Sequence, residues 1–86
     1  MYNIIYSSQA QRDAKKAGKS GLVANILKII EILQNNPYQN PPPFEKLLGD
    51  LSGTYSRRIN IQHRMVYQVY EKDKTVKIIR MWTHYE

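Results

Sequence analysis

All four prolines of this 86-residue chain fall between positions 37 and 43, as Pro37 and the run Asn40-Pro41-Pro42-Pro43. Proline fixes φ, lacks an N–H and pushes its predecessor out of the α region, so neither a helix nor an interior strand can cross this stretch. One set of elements must therefore be complete before it and another must begin after it. Between them runs an extended connector free of regular hydrogen bonding. At 10.1 kDa the chain fits one domain, residues 1–86, and excludes two. A chain this short buries only roughly 60–65% of its unfolded surface, so the two halves must share one economical core.

Before the prolines the pattern is mainly helical. Met1 to Tyr6, with Tyr2, Ile4, Ile5 and Tyr6, predicts a short buried strand. Ser8-Gln9-Ala10-Gln11 has capping-box spacing and predicts a helix with Ala10, Ala14 and Ala17 on one narrow face and Gly18 as its stop. Ser20 is positioned to cap a second helix, in which Leu22, Ile26, Ile29, Ile30 and Leu33 follow the 3.6-residue period up to Asn35. After the prolines the pattern is β. Tyr55 to Asn60, Arg64 to Tyr70 and Thr75 to Trp82 are rich in Val, Ile, Tyr and Arg. Short connections predict an antiparallel meander. The expected fold is α+β, in the order β-α-α-β-β-β, with two N-terminal helices packed on a small antiparallel-rich sheet.

Thirteen Lys and Arg against seven Asp and Glu give a net charge of +6, which suits a polyanionic partner or an acidic protein better than a small neutral ligand. The absence of cysteine excludes disulfides, thiolate zinc sites and a Cys nucleophile. Two histidines, His63 and His84, cannot supply a three-His metal site, so neither a metal nor another cofactor is expected. Apolar stretches are too short for a membrane span, and the first residues lack the features of a signal peptide. A soluble, cytoplasmic protein is expected.

Gly18-Lys19-Ser20 looks like the end of a phosphate-binding loop, but the glycine required five positions earlier is Asp13. It reads as a helix stop followed by a helix cap. Arg57, Arg58, His63 and Arg64 crowd cations into one predicted hairpin, with Arg80 and His84 on the adjoining segment. Strand geometry fixes the direction of such arginines, so they can converge on a phosphate, or they can form a solvated positive face. A three-residue loop at Asn60 to Gln62 would put Arg58 and Arg64 opposite each other on one face. A two-residue loop would separate them. Cleaving RNA without a metal needs a base for the 2′-hydroxyl proton, a cation for the crowded phosphorane and an acid for the leaving 5′-oxygen. Glu45, in the predicted loop after the prolines, an arginine and His84 are residue types that can fill those roles.

Glu45, Leu51-Ser52-Gly53, Ser56-Arg57-Arg58-Ile59, His63-Arg64-Met65-Val66-Tyr67 and the final His84-Tyr85 together resemble the YoeB/Txe family of toxins, within the RelE-like superfamily of bacterial toxin–antitoxin systems. The likeness spans residues 45–85, and the combination is far more specific than any piece of it. It implies a ribosome-dependent mRNA endonuclease, neutralised by a YefM/Axe-like antitoxin and able to form a homodimer. By position, Glu45 matches the general base, Arg64 the transition-state arginine and His84 the general acid. Tyr85 matches the tyrosine beside that acid, and Arg58 a further phosphate-side arginine. A family lysine is replaced by Leu48, which leaves Lys46 as the candidate substitute, and Pro42-Pro43-Phe44 stands where a Gly-Lys-Pro lead-in is usual. Glu86 extends the chain past the usual last tyrosine. Arg57 reads as a surface residue, and Lys15, Lys16 and Lys19 on the first helix as contacts to ribosomal RNA. Two other readings remain open: a ParE-like inhibitor of DNA gyrase, and a basic RNA- or ribosome-binding module without catalysis.

Overall fold

The computed structural model describes residues 1–47 and 53–84, the last three of them by backbone alone. The elements are β1 (Asn3–Tyr6), α1 (Ser8–Lys19), α2 (Val23–Asn35), β2 (Glu45–Lys46), β3 (Thr54–Arg58), β4 (His63–Tyr70) and β5 (Thr75–His84). The strands form a sheet in the order β1-β5-β4-β3-β2. β2 to β5 are antiparallel to their neighbours, whereas β1 and β5 pair in parallel.

The stripe on α2 is buried as its period predicts: Ile26, Ile29, Ile30 and Leu33 join Met65, Tyr67, Val76 and Ile78 of β4 and β5 in one apolar cluster, with Leu22 packed at its margin. The helices thus cover the sheet face that carries Tyr67, Val76 and Ile78. Ala10 and Ala17 bring α1 close to that face, but Ala14 is exposed and the inward place beside them is taken by Asp13. The Asp13 carboxylate accepts from Gln9 (3.0 Å), the Arg80 guanidinium (2.9 Å) and the Met81 amide (3.2 Å). Burial alone would raise its pKa. The three donors and the positive charge outweigh that effect and hold it below the usual carboxylate value.

Five expectations need correction. β1 is not buried: it is an edge strand, with Ile5 and Tyr6 exposed and only Ile4 and the preceding Tyr2 packed on the core. The cap of α1 is Ser7, not Ser8, because β1 runs straight into the helix. The Ser7 N–H still donates to Ile78 of β5 (2.9 Å), while its hydroxyl accepts from the Ala10 amide (3.0 Å). Gly18 does not stop the helix, and Ser20 closes α1 by donating its hydroxyl to the Ala17 carbonyl (2.9 Å), leaving α2 without a side-chain cap. The reversal falls on Gly21, whose φ of +80° is the left-handed region that glycine enters without strain. Finally, Glu45 lies in a two-residue strand and not in a loop.

Arg57 is the largest departure. Far from being a surface residue, it is 1% exposed. Its guanidinium donates to the Tyr67 hydroxyl (3.0 Å) and to the carbonyls of Pro37 (3.1 Å), Gln39 (2.7 Å) and Pro42 (2.6 Å). The connector therefore packs over β3 and β4 beside the helices, on the same sheet face. Phe44 and Tyr38 meet Tyr55 edge-on, and Tyr55 stacks on Tyr67.

Truncating Ile30 to Ala should destabilise the fold by roughly 2–5 kcal/mol, near the whole stability of so small a protein. A melting temperature equal to the parent's would show that α2 is not core. Asp13→Asn should lower stability by about 1–3 kcal/mol at neutral pH, through weakened bonds to Arg80 and Met81. Because the folded pKa of Asp13 is depressed, its contribution is complete above the unfolded value of about 4 and disappears as the pH falls through the folded one. Denaturant midpoints of parent and variant should therefore converge in acid.

Candidate active site

The β3–β4 ladder resolves the question of register. Arg58 pairs with Arg64 and Ser56 with Val66, and the Ile59 amide donates to the His63 carbonyl (2.8 Å), so Asn60 to Gln62 form the three-residue loop. The Asn60 side chain fixes that loop by accepting from the amides of Gln62 (2.9 Å) and His63 (2.7 Å). Directly opposed residues of a ladder share a face, so Arg58 and Arg64 stand side by side. β2 extends the same face, because Glu45 pairs with Ser56. Alternation sends Arg57, Met65 and Tyr67 to the helix side and leaves Glu45, Ser56, Arg58 and Arg64 on the other. Together with Pro43 and Phe44 they line a small cleft.

Two like charges set opposite one another repel, and oxygens of the cleft offset this. Arg64 is 6% exposed, and its Nη1 lies 3.3 Å from Glu45 Oε1 and 3.4 Å from Ser56 Oγ. A charge-assisted N–H···O bond at its best is about 2.7–2.9 Å, so the contact with Glu45 is loose. The Glu45 side chain is 58% exposed. Arg58 is also exposed. Among the described residues of the cleft, one buried cation, one exposed cation and one accessible carboxylate suit a phosphate flanked by a proton acceptor.

The backbone of His84 ends β5 in register with His63, and that of Thr83 is in register with Arg64. Between Arg64 and Tyr67 the β4–β5 register shifts twice. Such bulges add twist and redirect the chain beside them. Tyr85, Glu86 and Leu48 lie outside the described residues. Lys46 is exposed and pairs with Tyr55, which puts it on the opposite face of β2 from Glu45. Arg80 is not in the cation cluster, being paired with Asp13 under α1. Lys15, Lys16 and Lys19 are exposed on α1, on the helix side of the sheet. Sequence reasoning missed Ser56 as an Arg64 partner, although counting back two from Arg58 puts it on the same face. It also missed the inward turn of Arg57, for which the adjoining Arg58 was the only signal, since neighbours on a strand face opposite ways. Among the described residues no three His, Cys, Asp or Glu side chains group closely enough to hold a metal ion, and no helix is long and apolar enough to cross a membrane.

Residues 6–85 match the family model of the YoeB-like toxin of bacterial type II toxin–antitoxin systems. The chain belongs to that family. A toxin YoeB of Synechocystis is 35% identical over 65 residues, covering 76% of this chain and 73% of the relative. The toxin in a YoeB–YefM complex from Staphylococcus aureus superposes with a TM-score of 0.82 at 35% identity, covering 99% of both chains. A YoeB dimer from the same organism gives 0.81 at 35% identity over 98% of both. This YoeB-like toxin thus has the expected fold, with β2 as an added fifth strand to the sheet.

Proposed function

We propose that this type II toxin is a metal-independent endoribonuclease that enters the ribosome and cuts the mRNA exposed in the decoding site, so stopping translation. The observation that carries the reading is the loose pair of buried Arg64 and exposed Glu45, set beside Arg58 on the sheet face that the helices leave uncovered. Glu45 takes the proton of the 2′-hydroxyl, and the freed oxygen attacks the adjacent phosphorus. Arg64 and Arg58 bind the oxygens of the phosphorane, whose charge is highest at that point. The bond to the 5′-oxygen then breaks and His84 supplies the proton that the leaving oxygen needs. Tyr85 follows the acid in sequence and completes the RNA contacts. The exposed Lys15, Lys16 and Lys19, on the helix side of the sheet, meet ribosomal RNA phosphates. A YefM-like antitoxin with a flexible acidic or amphipathic segment neutralises the toxin, in keeping with the S. aureus complex, and self-association follows the S. aureus dimer.

On programmed ribosomes, His84→Gln and Glu45→Gln should each lower single-turnover cleavage by about 10²–10⁴-fold while ribosome affinity survives, because each keeps its shape but transfers protons poorly. Arg64→Ala should behave likewise. Lys46→Ala should cleave near the parent rate, since that side chain is on the other face of β2. Full activity in His84→Gln would sink the mechanism, and mapping of mRNA ends separates the nuclease from a gyrase inhibitor or a passive ribosome binder, neither of which makes new ends. Changing Lys15, Lys16 and Lys19 together to Glu should weaken ribosome binding and flatten its salt dependence with the fold intact. Affinity constant across a tenfold range of salt would remove electrostatic docking.

A further inference from the structure

Glu45 is carried on the shortest strand of the sheet, two residues long and at its edge, directly after the proline connector. A strand of that length contributes little cohesion of its own. Among the described residues its ladder to β3 is continued beyond it by one backbone bond, from the Leu47 amide to the Thr54 carbonyl (2.9 Å). What enters that strand, by contrast, is fastened firmly. Arg57 binds three carbonyls along residues 37–42, its guanidinium carbon stands 4.8 Å over the Phe44 ring, and the Tyr67 hydroxyl that accepts from Arg57 also donates to the Pro37 carbonyl (3.1 Å). Arg57 and Phe44 lie on the helix side of the sheet. Arg58 and Glu45, one residue along each strand, lie on the cleft side. The same pair of strands is thus gripped from behind at one residue and presents the site in front at the next.

We infer that Arg57 is a positioning residue for Glu45: by clamping the connector on the helix side, it sets the height and register at which Glu45 meets Arg64 on the other. The inference rests on the reading of Glu45 as the general base. No other side chain type offers the same clamp. A planar fork of fixed N–H groups can address carbonyls on several sides at once, whereas a lysine offers one nitrogen and an apolar residue none. Reaction geometry is steep enough for this to matter, since a displacement of about 1 Å at the reacting atoms can lower a rate by roughly 10².

The test uses Arg57→Lys and, as a milder variant that keeps the aromatic packing, Tyr67→Phe, which removes the hydroxyl between Arg57 and Pro37. Amide hydrogen exchange on the full chain should show protection lost at Leu47 and retained at the β4–β5 amides. A merely stabilising role for Arg57 would lower protection throughout. Single-turnover cleavage at a temperature where both variants are folded should fall at least about tenfold for Arg57→Lys and by less for Tyr67→Phe, with ribosome affinity unchanged. In the Glu45→Gln background the Arg57→Lys defect should vanish, because a residue acting through Glu45 has nothing left to position. Parent-like protection at Leu47 in both variants would overturn the inference, as would parent-like cleavage or a defect that adds in full to that of Glu45→Gln. Should Glu45→Gln itself cleave normally, the nuclease reading of Glu45 fails first, and the positioning role falls with it even if Leu47 exchange shows that the clamp is real.

Discussion

The structure turns on a buried positive charge whose described hydrogen bonds all end on neutral oxygens. Removing a guanidinium from water costs several kcal/mol, and an ion pair is the usual way to offset it. Arg57 is offset instead by carbonyl dipoles and a tyrosine hydroxyl, and the carbonyls come from the one segment that most needs donors. Pro41, Pro42 and Pro43 have no N–H, so the connector cannot satisfy its carbonyls in a ladder of its own. The cation and the connector each carry a liability that the other removes. Their union converts a stretch excluded from regular structure into the lid over β3 and β4, and fixes the point at which the chain re-enters the sheet.

Among the described residues two further arginines are paired with carboxylates, and the two pairs differ in which partner is buried. In Asp13–Arg80 the acid is fully buried and saturated by three donors, while the arginine is 40% exposed on its side chain. In Glu45–Arg64 the burial is inverted: the arginine is enclosed and the acid is open. An acid locked by three donors and a depressed pKa is a poor proton acceptor. An exposed acid in a long contact can give up its partner to an incoming phosphate oxygen. In the proposed reaction the arginine, held by the fold, stays where the charge develops, which is the preorganisation that electrostatic catalysis requires.

Much of this was legible in the sequence where a repeating physical pattern existed. The α2 stripe recurs at the helical period, and its buried residues are those the period selects. The three long strands carry enough β-branched and aromatic residues to stand out, with ends shifted by one or two positions. The register of Arg58 and Arg64 was reduced to two options, and the side chain of Asn60, capping its own loop, selects one. What could not be read had no pattern to read. β2 is too short for alternation to show. Ser7, Ser8 and Ser20 are equally good caps by composition, and the choice among them depends on where β1 and α1 meet β5. Arg57 and Arg58 are adjacent and chemically identical, so only the burial of the opposite face tells which one turns inward.

The last of these junctions explains how the C-terminal strand can be both central and open. β1 accompanies β5 only from Thr75 to Ile78, after which the chain leaves the sheet to begin α1. From there the β1 side of β5 would present unpaired backbone groups, an exposed edge inside the sheet. Side chains from the departing chain take the place of the missing strand. The Ser7 hydroxyl donates to the Ile79 carbonyl (2.7 Å), and Asp13, one turn and a half into the helix, accepts from the Met81 amide. The edge is thereby closed up to Met81 without adding a strand. Beyond it, the backbone of β5 keeps β4 as its ladder partner and brings His84 level with His63. A full-length β1 would have flanked this end of β5 on its second side as well. Stopping β1 early and finishing its work with two side chains leaves the last residues of β5, level with His63 and Arg64 of β4, unflanked by β1, and it is there that the proposed reaction brings the arginine cleft and His84 to one substrate.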